Sequence, residues 1–431
     1  MIYNLSQYNI HWKTKRLNQL GVFSRGKSKH RPRDDYRLFI NGKYPLIQTS
    51  DIKKANLYVT SHVQEYNEFG LQQSKLWNKG TLCITIAANI ADTAIISYPM
   101  CFPDSVVGFL ANKNESSELF MHYIFKYIQN NIKKTVRGSI QDNININYLE
   151  QLYFKIPEKA YQNKIVLILS SIDKKIELNN KINTELEAMA KTIYDYWFLQ
   201  FEFPNEEGKP YKSSGGKMVW NEELKREIPE GWTNGLISDL GEIISGGTPS
   251  TKHDEYYSKN GIAWVTPYDL SKTTDKYITH GEKDISQKGL EKSSAKLMPK
   301  GSILLTSRAP IGYIGISSNE VTTNQGFKSI VPYNKSNSEY IYYLLKSIIP
   351  YLKSLGNGST FAEISKETLS NIPIIIPNKD IIDNFNNKVI HLGKIREIKE
   401  QENRELTSLR DFLLPLLMNG QVGFKEDKAE G

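Results

Sequence analysis

The stretch IVLILSSIDKKIELNNKINTELEAMAKTI, residues 165–193, decides the architecture of this 431-residue chain. Its apolar residues recur at heptad-like spacing with charged residues between them, which predicts one long helix with an apolar stripe. The stripe comprises Ile165, Ile168, Ile172, Ile182, Leu186, Met189 and Ile193. A second stripe in equivalent phase comprises Phe385, Leu392, Ile395, Leu406, Leu409, Leu413 and Leu416. Neither helix can bury its stripe alone, so the two are expected to pack on each other or on a partner.

The two stripes belong to a tandem repeat, because a shift of 220 residues aligns the two halves of the chain. The matched pairs are Trp12 with Trp232, Leu20-Gly21 with Leu240-Gly241, Gly26 with Gly246, Gly138-Ser139 with Gly358-Ser359, Leu149 with Leu369, Pro157 with Pro377, and Leu186 with Leu406. Single matches mean little, but one offset holds across nearly the whole chain. This regularity indicates a duplication.

Each repeat begins with short β-branched and aromatic runs that are separated by Gly, Asn, Ser and Pro clusters, the pattern of strands joined by turns. The sequence therefore predicts an α+β fold with two similar domains, mainly β with a few helices, each followed by a long helix. The predicted segments are a first domain at 1–157, a long helix at 158–200, a linker at 201–231, a second domain at 232–377, a second long helix at 378–420 and a tail at 421–431.

The simplest compact arrangement of such a repeat is a pseudo-twofold in which the long helices form an antiparallel coiled coil. The positions predicted in its core are Ile172, Asn179, Leu186, Leu392, Lys399 and Leu406. Asn179 and Lys399 are polar interruptions near the middle of each stripe and stand 220 residues apart. We expect them to lie close together as a polar layer that sets the register.

Composition limits the class of protein. Lys plus Arg number 55 and Asp plus Glu number 47, and this excess, with a pI near 9.0, favours a polyanionic partner. Cys83 and Cys101 are too few for a disulfide framework or a four-cysteine zinc site, and we expect buried reduced thiols. The seven histidines have no metal-ligand spacing, so no metal site is predicted. The sequence lacks a signal-peptide apolar region and any membrane-length apolar run, which predicts a cytoplasmic protein.

The segment IYDYWFLQFEFPNEEGKPYKSSGGKMVWNEELKREIPEGW, residues 193–232, closely resembles the linker of Type I restriction-modification specificity subunits. Further motifs of the second half fit that family's pattern: Ser245-Gly246-Gly247-Thr248-Pro249, Trp264-Val265-Thr266-Pro267, Pro299-Lys300-Gly301, Thr306-Ser307-Arg308-Ala309-Pro310, Asn324-Gln325-Gly326-Phe327 and Gly358-Ser359-Thr360. The first half matches less well, through Arg25-Gly26-Lys27-Ser28 and Tyr44-Pro45-Leu46-Ile47-Gln48-Thr49, and it has Ala87-Ala88-Asn89 where Arg308-Ala309-Pro310 stands. Such divergence is expected if the two domains read different half-sites.

The resemblance covers nearly all of the chain and implies two target-recognition domains, each reading one half of a split asymmetric site in double-stranded DNA. It implies no catalytic residues and no cofactor in this chain. Two methyltransferase (modification) subunits docked on the helices would methylate adenine N6 from S-adenosylmethionine, and restriction/translocase subunits would use ATP and Mg. A helix of roughly 30 to 38 residues is about 45 to 57 Å long. It would act as a spacer that holds the domains more than one DNA turn, about 34 Å, apart.

One motif suggests a different activity. Gly21–Ser28 satisfies the P-loop expression G-x-x-x-x-G-K-[ST], which would indicate nucleotide binding. A P-loop needs a helix immediately afterwards to present its N-terminal amides to phosphate, whereas residues 29–35 contain Pro32 and no apolar stripe. The equivalent segment of the second half has no lysine. The sequence therefore favours another role for this stretch.

A DNA-contacting loop is the preferred interpretation of residues 25–37, and a solvated loop with incidental charge is the alternative. Arginine and lysine suit phosphate contacts, and arginine and glutamine suit base edges. The candidates in the first domain are Arg25, Lys27, Lys29, Arg31, Arg33 and Gln48, and those in the second are Thr248, Lys252, His253, Arg308 and Gln325. The target sequence itself depends on loop geometry and DNA shape, which a sequence does not determine.

Two other classes of function fit the sequence less well. A stand-alone nuclease or methyltransferase would need motifs that are missing, such as Asn-Pro-Pro-Tyr or Asp-Pro-Pro-Tyr to hold a flipped adenine. A scaffold or a subunit mimic is the third class, but a net charge of +8 argues against a mimic of DNA. A flat salt response of binding would favour the scaffold.

Overall fold

The structure, a computed structural model, describes residues 2–137, 144–308, 310–356 and 363–424. The repeat anchors Gly138-Ser139 and Gly358-Ser359 lie outside these residues. The chain divides into two compact units: unit 1 combines Met1–Leu178 with Glu402–Gly431, and unit 2 is Asn179–Gln401. Each unit therefore contains one β-rich domain and a part of each long helix.

The β domain of unit 1 precedes the first long helix. Its strands are β1 (Lys13–Arg16), β2 (Gly21–Arg25), β3 (Tyr44–Leu46), β4 (Tyr58–Val59), β5 (Gln64–Tyr66), β6 (Leu76–Trp77), β7 (Leu82–Thr85), β8 (Thr93–Ile96), β9 (Met100–Cys101), β10 (Val106–Ala111) and β11 (Tyr153–Ile156). The helices are α1 (Leu17–Leu20), α2 (Thr49–Lys54), α3 (Glu68–Gln72), α4 (Glu118–Arg137), α5 (Ile146–Glu150) and the long α6 (Lys159–Tyr194), which continues as a π-helical turn over Asp195–Leu199.

The second half repeats this order after a hairpin. Its strands are β12 (Met218–Asn221), β13 (Arg226–Pro229), β14 (Thr233–Leu236), β15 (Gly241–Ser245), β16 (Tyr257–Ser258), β17 (Ile262–Val265), β18 (Tyr277–Ile278), β19 (Lys283–Ile285), β20 (Ile303–Leu305), β21 (Ile314–Ser317), β22 (Thr322–Thr323), β23 (Lys328–Pro332) and β24 (Pro373–Ile376). The helices are α7 (Pro267–Lys272), α8 (Gln287–Glu291), α9 (Ser338–Gly356), α10 (Lys366–Ser370) and the long α11 (Lys379–Met418).

Both domains contain a five-stranded sheet of the same topology, in the order β2-β10-β7-β8-β4 and β15-β23-β20-β21-β18. In each sheet the neighbours are antiparallel except for the last pair, β8 with β4 and β21 with β18, which is parallel. A separate two-stranded ladder joins the first strand of each domain to the last, β1 with β11 and β14 with β24. This shared topology confirms the predicted duplication.

A smaller sheet shows where the two domains differ. Three strands are common to both, β5-β3-β9 in the first domain and β19-β17-β22 in the second, with one antiparallel and one parallel pairing in each. The fourth strand is added at opposite edges, as β6 beside β9 in the first domain and as β16 beside β19 in the second. Equivalent sheets therefore present different edges.

Local sequence explains why equivalent elements form. The strands β7 and β20 consist of buried β-branched, Leu and Cys residues, the composition of a strand covered on both faces. The short helices α5 and α10 begin after Asn145 and Ser365, and each of these side chains accepts a hydrogen bond from the backbone N–H three residues later. The same cap therefore starts the same helix in both halves.

The long helices bury equivalent positions in the two halves. Ile165 and Phe385, then Leu169 and Val389, are fully buried pairs at the 220-residue offset. Predicted core residues Ile172 and Asn179 are buried, whereas Leu186, Leu392, Lys399 and Leu406 are half-buried. The predicted contact of Asn179 with Lys399 stays a prediction. Three residues assigned to the apolar stripes are instead exposed: Met189, Ile395 and Leu409.

Charged residues take the place of part of the expected apolar stripe. In unit 1 the buried Asp173 of α6 pairs with Arg410 of α11 at 2.8 Å, and in unit 2 Glu187 of α6 pairs with Arg396 of α11 at 2.5 Å. From Asp173 to Glu187 the chain advances fourteen residues along α6, while the partner moves back fourteen residues along α11. The two helices therefore pack against each other antiparallel, as predicted.

The stretch 201–231, predicted as a linker, is structured and packs on unit 2. Its strands β12 and β13 form an antiparallel hairpin. Phe201, Phe203 and Ile228 are buried in the main hydrophobic core of that unit, where the Phe203 ring stacks on Trp232 at 5.0 Å between centroids. The segment that carries the strongest family resemblance is therefore part of the second domain's core.

Two further expectations concern the cysteines and the membrane. Cys83 and Cys101 are both buried free thiols, as predicted, and burial raises the pKa of each. Among the described helices, none combines the length and apolar character that crossing a bilayer requires.

Candidate nucleic-acid interface

The candidate loops of the two domains leave the fold at the same point. The strand β2 ends at Arg25 and its equivalent β15 ends at Ser245, and each is followed by a glycine, Gly26 or Gly246. A Cβ atom would lie 2.3 Å from the Pro103 carbonyl oxygen at Gly26 and 1.9 Å from the Asn324 carbonyl oxygen at Gly246. Only glycine permits such an approach, so each loop is held against a second chain segment.

In the first domain that second segment supplies a carboxylate that organises the arginines. Arg33 donates to both oxygens of Asp104 at 2.8 and 2.7 Å, and Arg31 lies 3.5 Å from the same carboxylate. Arg25 Nε donates to the Asp104 backbone carbonyl at 3.0 Å. The Arg31 and Arg33 side chains remain 55% and 53% exposed, so the guanidinium groups are positioned while still open to a ligand.

The lysines of the same loop are not held in this way. Lys27 and Lys29 are exposed, and neither forms an ion pair with any described residue. The loop ends at Asp35, which accepts bonds from Arg37 at 2.6 Å and His30 at 2.7 Å, and these partners lower the pKa of Asp35. Positive charge remains in excess on this surface. Six basic residues, Arg25, Lys27, Lys29, Arg31, Arg33 and Arg37, stand against Asp34, Asp35 and Asp104.

Gln48 lies between β3 and α2, at the end of the small sheet. Its backbone N–H donates to the Asp51 carboxylate at 2.8 Å, which fixes the start of α2. Its side-chain Nε2 donates to Gln64 Oε1 of β5 at 2.9 Å, in an exposed bond. Gln48 is therefore positioned by the sheet of the first domain, with its amide at the surface.

In the second domain the structure brings Thr248 and Gln325 together. The Thr248 hydroxyl donates to the Gln325 side-chain oxygen, and both residues are exposed. Gly247 N–H donates to the Thr323 carbonyl at 2.8 Å, which fixes the loop against the turn that carries Gln325. Two candidates that lie 77 residues apart in the sequence thus form one polar surface.

Arg308 is connected to this surface through the residue before it, Ser307. The preceding Ser307 donates its N–H to the Gly326 carbonyl at 2.8 Å, directly after Gln325. Arg308 itself is half-buried, and its guanidinium lies 3.7 Å from the Glu363 carboxylate, which also pairs with Lys328 at 3.2 Å. Arg308 is therefore partly neutralised, unlike the lysines of the first domain.

Lys252 and His253 lie farther along the same loop, and both are exposed. His253 is 3.7 Å from Glu255, and its ring lies 4.8 Å from that of Tyr256. Beside them is a surface groove of about 850 Å³. The groove is lined by Thr251, Asp254, Tyr257, Ser258, Lys259, Trp264, Glu282 and Lys283.

Lys259, Lys283 and Tyr257 of this groove were missed by the sequence analysis. Tyr257 lies in β16 and Lys259 follows it, and Lys283 begins β19, the strand on which β16 pairs. Because the described part of the first domain has no strand equivalent to β16, the alignment of the two halves gave no signal for a groove beside it. Tyr257 and Trp264 are fixed by hydrogen bonds to the loop, from the Tyr257 hydroxyl to the Pro249 carbonyl at 2.8 Å and from Trp264 Nε1 to the Gly247 carbonyl at 3.0 Å. The groove and the loop are therefore one structural feature.

Nothing in this region has the architecture of a nucleotide or metal site. The P-loop-like stretch begins as the strand β2, and residues 26–35 form no helix, so the phosphate-binding context is missing. Within the described parts of the chain, no three His, Cys, Asp or Glu residues are grouped to hold a metal ion.

Comparison with known proteins shows the family. The family model of the Type I restriction modification DNA specificity domain matches twice, at residues 9–188 and 229–406. The HindI specificity subunit of Haemophilus influenzae is 30% identical over 337 residues, which cover 66% of this chain and 72% of that one. The MjaIX specificity subunit of Methanocaldococcus jannaschii is 39% identical over 220 residues, but the match spans only 50% of each chain.

A solved structure shares the fold. The crystal structure of the Type I restriction-modification S subunit from M. genitalium superimposes with a TM-score of 0.58 at 16% identity, covering 97% of this chain and 99% of that one. The chain therefore belongs to the Type I restriction-modification specificity family and contains the DNA specificity domain twice. It is a specificity subunit, a non-catalytic component of a Type I complex, with two target-recognition domains.

Proposed function

We propose that each domain binds one half of a bipartite site in double-stranded DNA through the loop that follows β2 or β15, and that the long helices dock two methyltransferase subunits and set the half-site spacing. One observation carries the DNA part of the proposal: candidates in both domains project from the same point of a duplicated fold, yet their side chains differ. Equivalent positions would give two readers related binding geometry, and different side chains would give them different targets. We take the target-recognition domains as residues 1–157 and 232–377.

Chemistry in this assembly would belong to the partners. The modification subunits would supply S-adenosylmethionine and methylate adenine, and restriction/translocase subunits would supply ATP and Mg. The specificity family carries no cofactor itself. We place the chain in the cytoplasm, because the DNA and the partner subunits proposed for it would be found there.

Phosphate binding by the first domain is tested with the Lys27→Ala/Lys29→Ala double variant. If both lysines neutralise phosphates, the slope of log K against log salt becomes shallower by about 1.8, because each phosphate contact contributes roughly 0.9. Fluorescence anisotropy of the assembled complex with a cognate duplex between 50 and 300 mM salt measures this slope. The control is Lys209→Ala/Lys212→Ala on the exposed stretch before β12, with the same charge change. An unchanged slope in the first variant contradicts this role.

Base reading is tested with the two glutamines, one from each domain. Gln48→Ala is expected to relax sequence preference in one half-site and Gln325→Ala in the other, each by about 5- to 150-fold, the range for loss of a good bidentate contact of about 1 to 3 kcal/mol. Methylome mapping in cells that express each variant with its methyltransferase reads out both halves at once. Each variant serves as the control for the other. Relaxation of the same half-site by both would refute the assignment of one domain to each half.

The helix surfaces support the docking part of the proposal. Leu178 and Met189 are 51% and 52% exposed and lie on the same side of α6, three turns apart, opposite its buried positions. Ile398 and Leu409, at the 220-residue offset, are 64% and 46% exposed on α11. Repeated apolar residues on an outward helix face are typical of a protein-binding surface. Each unit contains one residue of this set from each helix, which suits two docked copies.

Docking of the methyltransferase subunits is tested with a variant that is expected to reduce the number of bound subunits. Leu178→Ser/Leu409→Ser removes both residues of unit 1 and is expected to leave one methyltransferase subunit bound instead of two, because Met189 and Ile398 of unit 2 are intact. Sedimentation velocity or native mass spectrometry of the assembled complex counts the subunits. Val63→Ser, at the most exposed apolar residue of the first domain, is the control. Two bound subunits with full affinity in the double variant would exclude this surface.

A further inference from the structure

The charges buried between the long helices are distributed unequally. α6 supplies the acid in both units, Asp173 in unit 1 and Glu187 in unit 2, and α11 supplies the arginine in both, Arg410 and Arg396. Asp173 and Arg410 are 1% and 7% exposed, and Arg396 is 8% exposed. The duplicated halves therefore contribute opposite charges to one helix pair.

Each acid also bonds to the β domain of its unit. Asp173 accepts hydrogen bonds from the Tyr123 hydroxyl at 2.7 Å and from Asn56 at 3.4 Å, in addition to Arg410. Glu187 accepts from the Tyr343 hydroxyl at 2.9 Å, from Lys346 and from Arg396. Tyr123 and Tyr343 are equivalent at the 220-residue offset, so each domain presents the same tyrosine to a carboxylate of α6.

The 220-residue offset identifies the residue that would face each charged side chain if two identical halves paired. The helices bury equivalent positions, including Ile176 with Arg396 and Ala190 with Arg410. In a pair of two first halves, Ala190 would stand where Arg410 now faces Asp173. In a pair of two second halves, Thr407 would stand where Glu187 now faces Arg396.

Such pairs would leave buried charges without their partners. Arg396 keeps Glu400 at 2.7 Å on its own helix, but Lys346 has no carboxylate other than Glu187 among the described residues. Two copies of the second half would hold the buried Arg396 and the half-buried Lys346 twice without Glu187, and two copies of the first half would bury Asp173 twice without its arginine. Removing one partner of a buried ion pair is strongly destabilising because the desolvation cost of the other remains.

We propose that these buried charges make the two halves of the chain heterospecific: a first half pairs with a second half, from the same chain or from another copy, and excludes a copy of itself. Exclusion acts through the missing counter-charges at Ala190 and Thr407. The fully buried apolar pairs at the 220-residue offset, Ile165 with Phe385 and Leu169 with Val389, are apolar in both helices, so we assign the discrimination to the charges. The proposal concerns assembly alone and holds whether or not the loops bind DNA.

The test begins with the intact folded chain. A protease site is inserted between Glu206 and Glu207, in the exposed turn before Gly208, and the purified protein is cleaved there. Unlabelled and ¹⁵N-labelled cleaved proteins are mixed and held in mild urea until labelled and unlabelled halves have exchanged, as scrambled first-plus-second pairs reveal in native mass spectra. Pairs of two first or two second halves are expected at least about 100-fold below the mixed pairs. A statistical distribution of the three kinds would overturn the proposal.

A gain-of-function variant makes the test independent of any folding defect. Thr407→Glu supplies the missing acid opposite Arg396 and Lys346 of a second copy, so pairs of two second halves are expected to rise at least tenfold. Thr407→Gln is the matched control, because it adds nearly the same volume without charge, and it is expected to leave these pairs rare. Equal amounts of such pairs in the two variants would show that charge does not select the partner.

Discussion

Asp173→Asn is expected to lower the free energy of unfolding by about 3 kcal/mol, the low end of the range for breaking a buried ion pair. The asparagine keeps the size of the side chain and its bond to Tyr123, but Arg410 loses its buried counter-charge. Among the described residues, the carboxylate that remains beside Arg410 is that of Asp411, a 57% exposed neighbour at 2.9 Å. The measurement is urea-induced unfolding followed by circular dichroism and tryptophan fluorescence.

A surface pair of the same two helices provides the control. Lys175 and Glu402 lie 3.3 Å apart with side chains 42% and 32% exposed, so Lys175→Ala is expected to cost less than about 1 kcal/mol. Replacing both buried partners, Asp173→Leu with Arg410→Met, is expected to recover most of the stability lost in Asp173→Asn, because no charge is then stranded. A cost below about 0.5 kcal/mol for Asp173→Asn would contradict the importance given to this pair.

Acid is expected to destabilise the first domain through His122. This residue is 2% exposed, and burial, with the nearby charges of Lys126 and Arg410 opposing Asp173, lowers its pKa to about 3. An unfolded histidine has a pKa near 6.5, so the unfolded state takes up the proton first as the pH falls. The stabilisation is complete above pH 6.5 and is lost between pH 6.5 and about 3, at up to about 1.4 kcal/mol per pH unit.

The measurement compares the wild type with His122→Gln, which cannot titrate, in urea unfolding at pH 8 and pH 5. The advantage of the wild type over the variant is expected to shrink by about 2 kcal/mol between these two pH values, from the linkage slope over the 1.5 units below 6.5. Carboxylates that titrate in both proteins cancel in this difference. A difference that does not change with pH would show that His122 is not held neutral by the fold. The Thr93 hydroxyl lies 3.0 Å from His122 Nδ1 and is retained in the variant.

The buried charges explain why the stripe of the long helices was only partly predicted. The heptad spacing of apolar residues predicted both helices and their common phase. It also predicted that Met189, Ile395 and Leu409 are buried, but these three residues are exposed. It could not place Asp173 or Arg410 inside, because the partner that offsets the cost of burying each of these charges comes from a distant part of the chain. That partner lies 237 residues away in the sequence.

The candidate interface was also only partly predictable from the sequence. The basic composition of residues 25–37 is readable from the sequence, but the carboxylate that organises Arg31 and Arg33 comes from Asp104, more than 70 residues later. Thr248 and Gln325 lie 77 residues apart in the sequence, and only the folded loop brings them into contact. The groove beside β16 had no counterpart in the first half, so internal comparison could not find it.

The sequence by itself determined the duplication and the order of domain and helix in each half, because these depend on residue spacing along the chain, and it indicated the family through the resemblance of the segment at residues 193–232. The tertiary structure decided which loop residues share a surface, which helix faces are buried and which charges pair. Those outcomes depend on desolvation and on contacts between residues far apart in the chain, whose free energies a linear pattern does not contain.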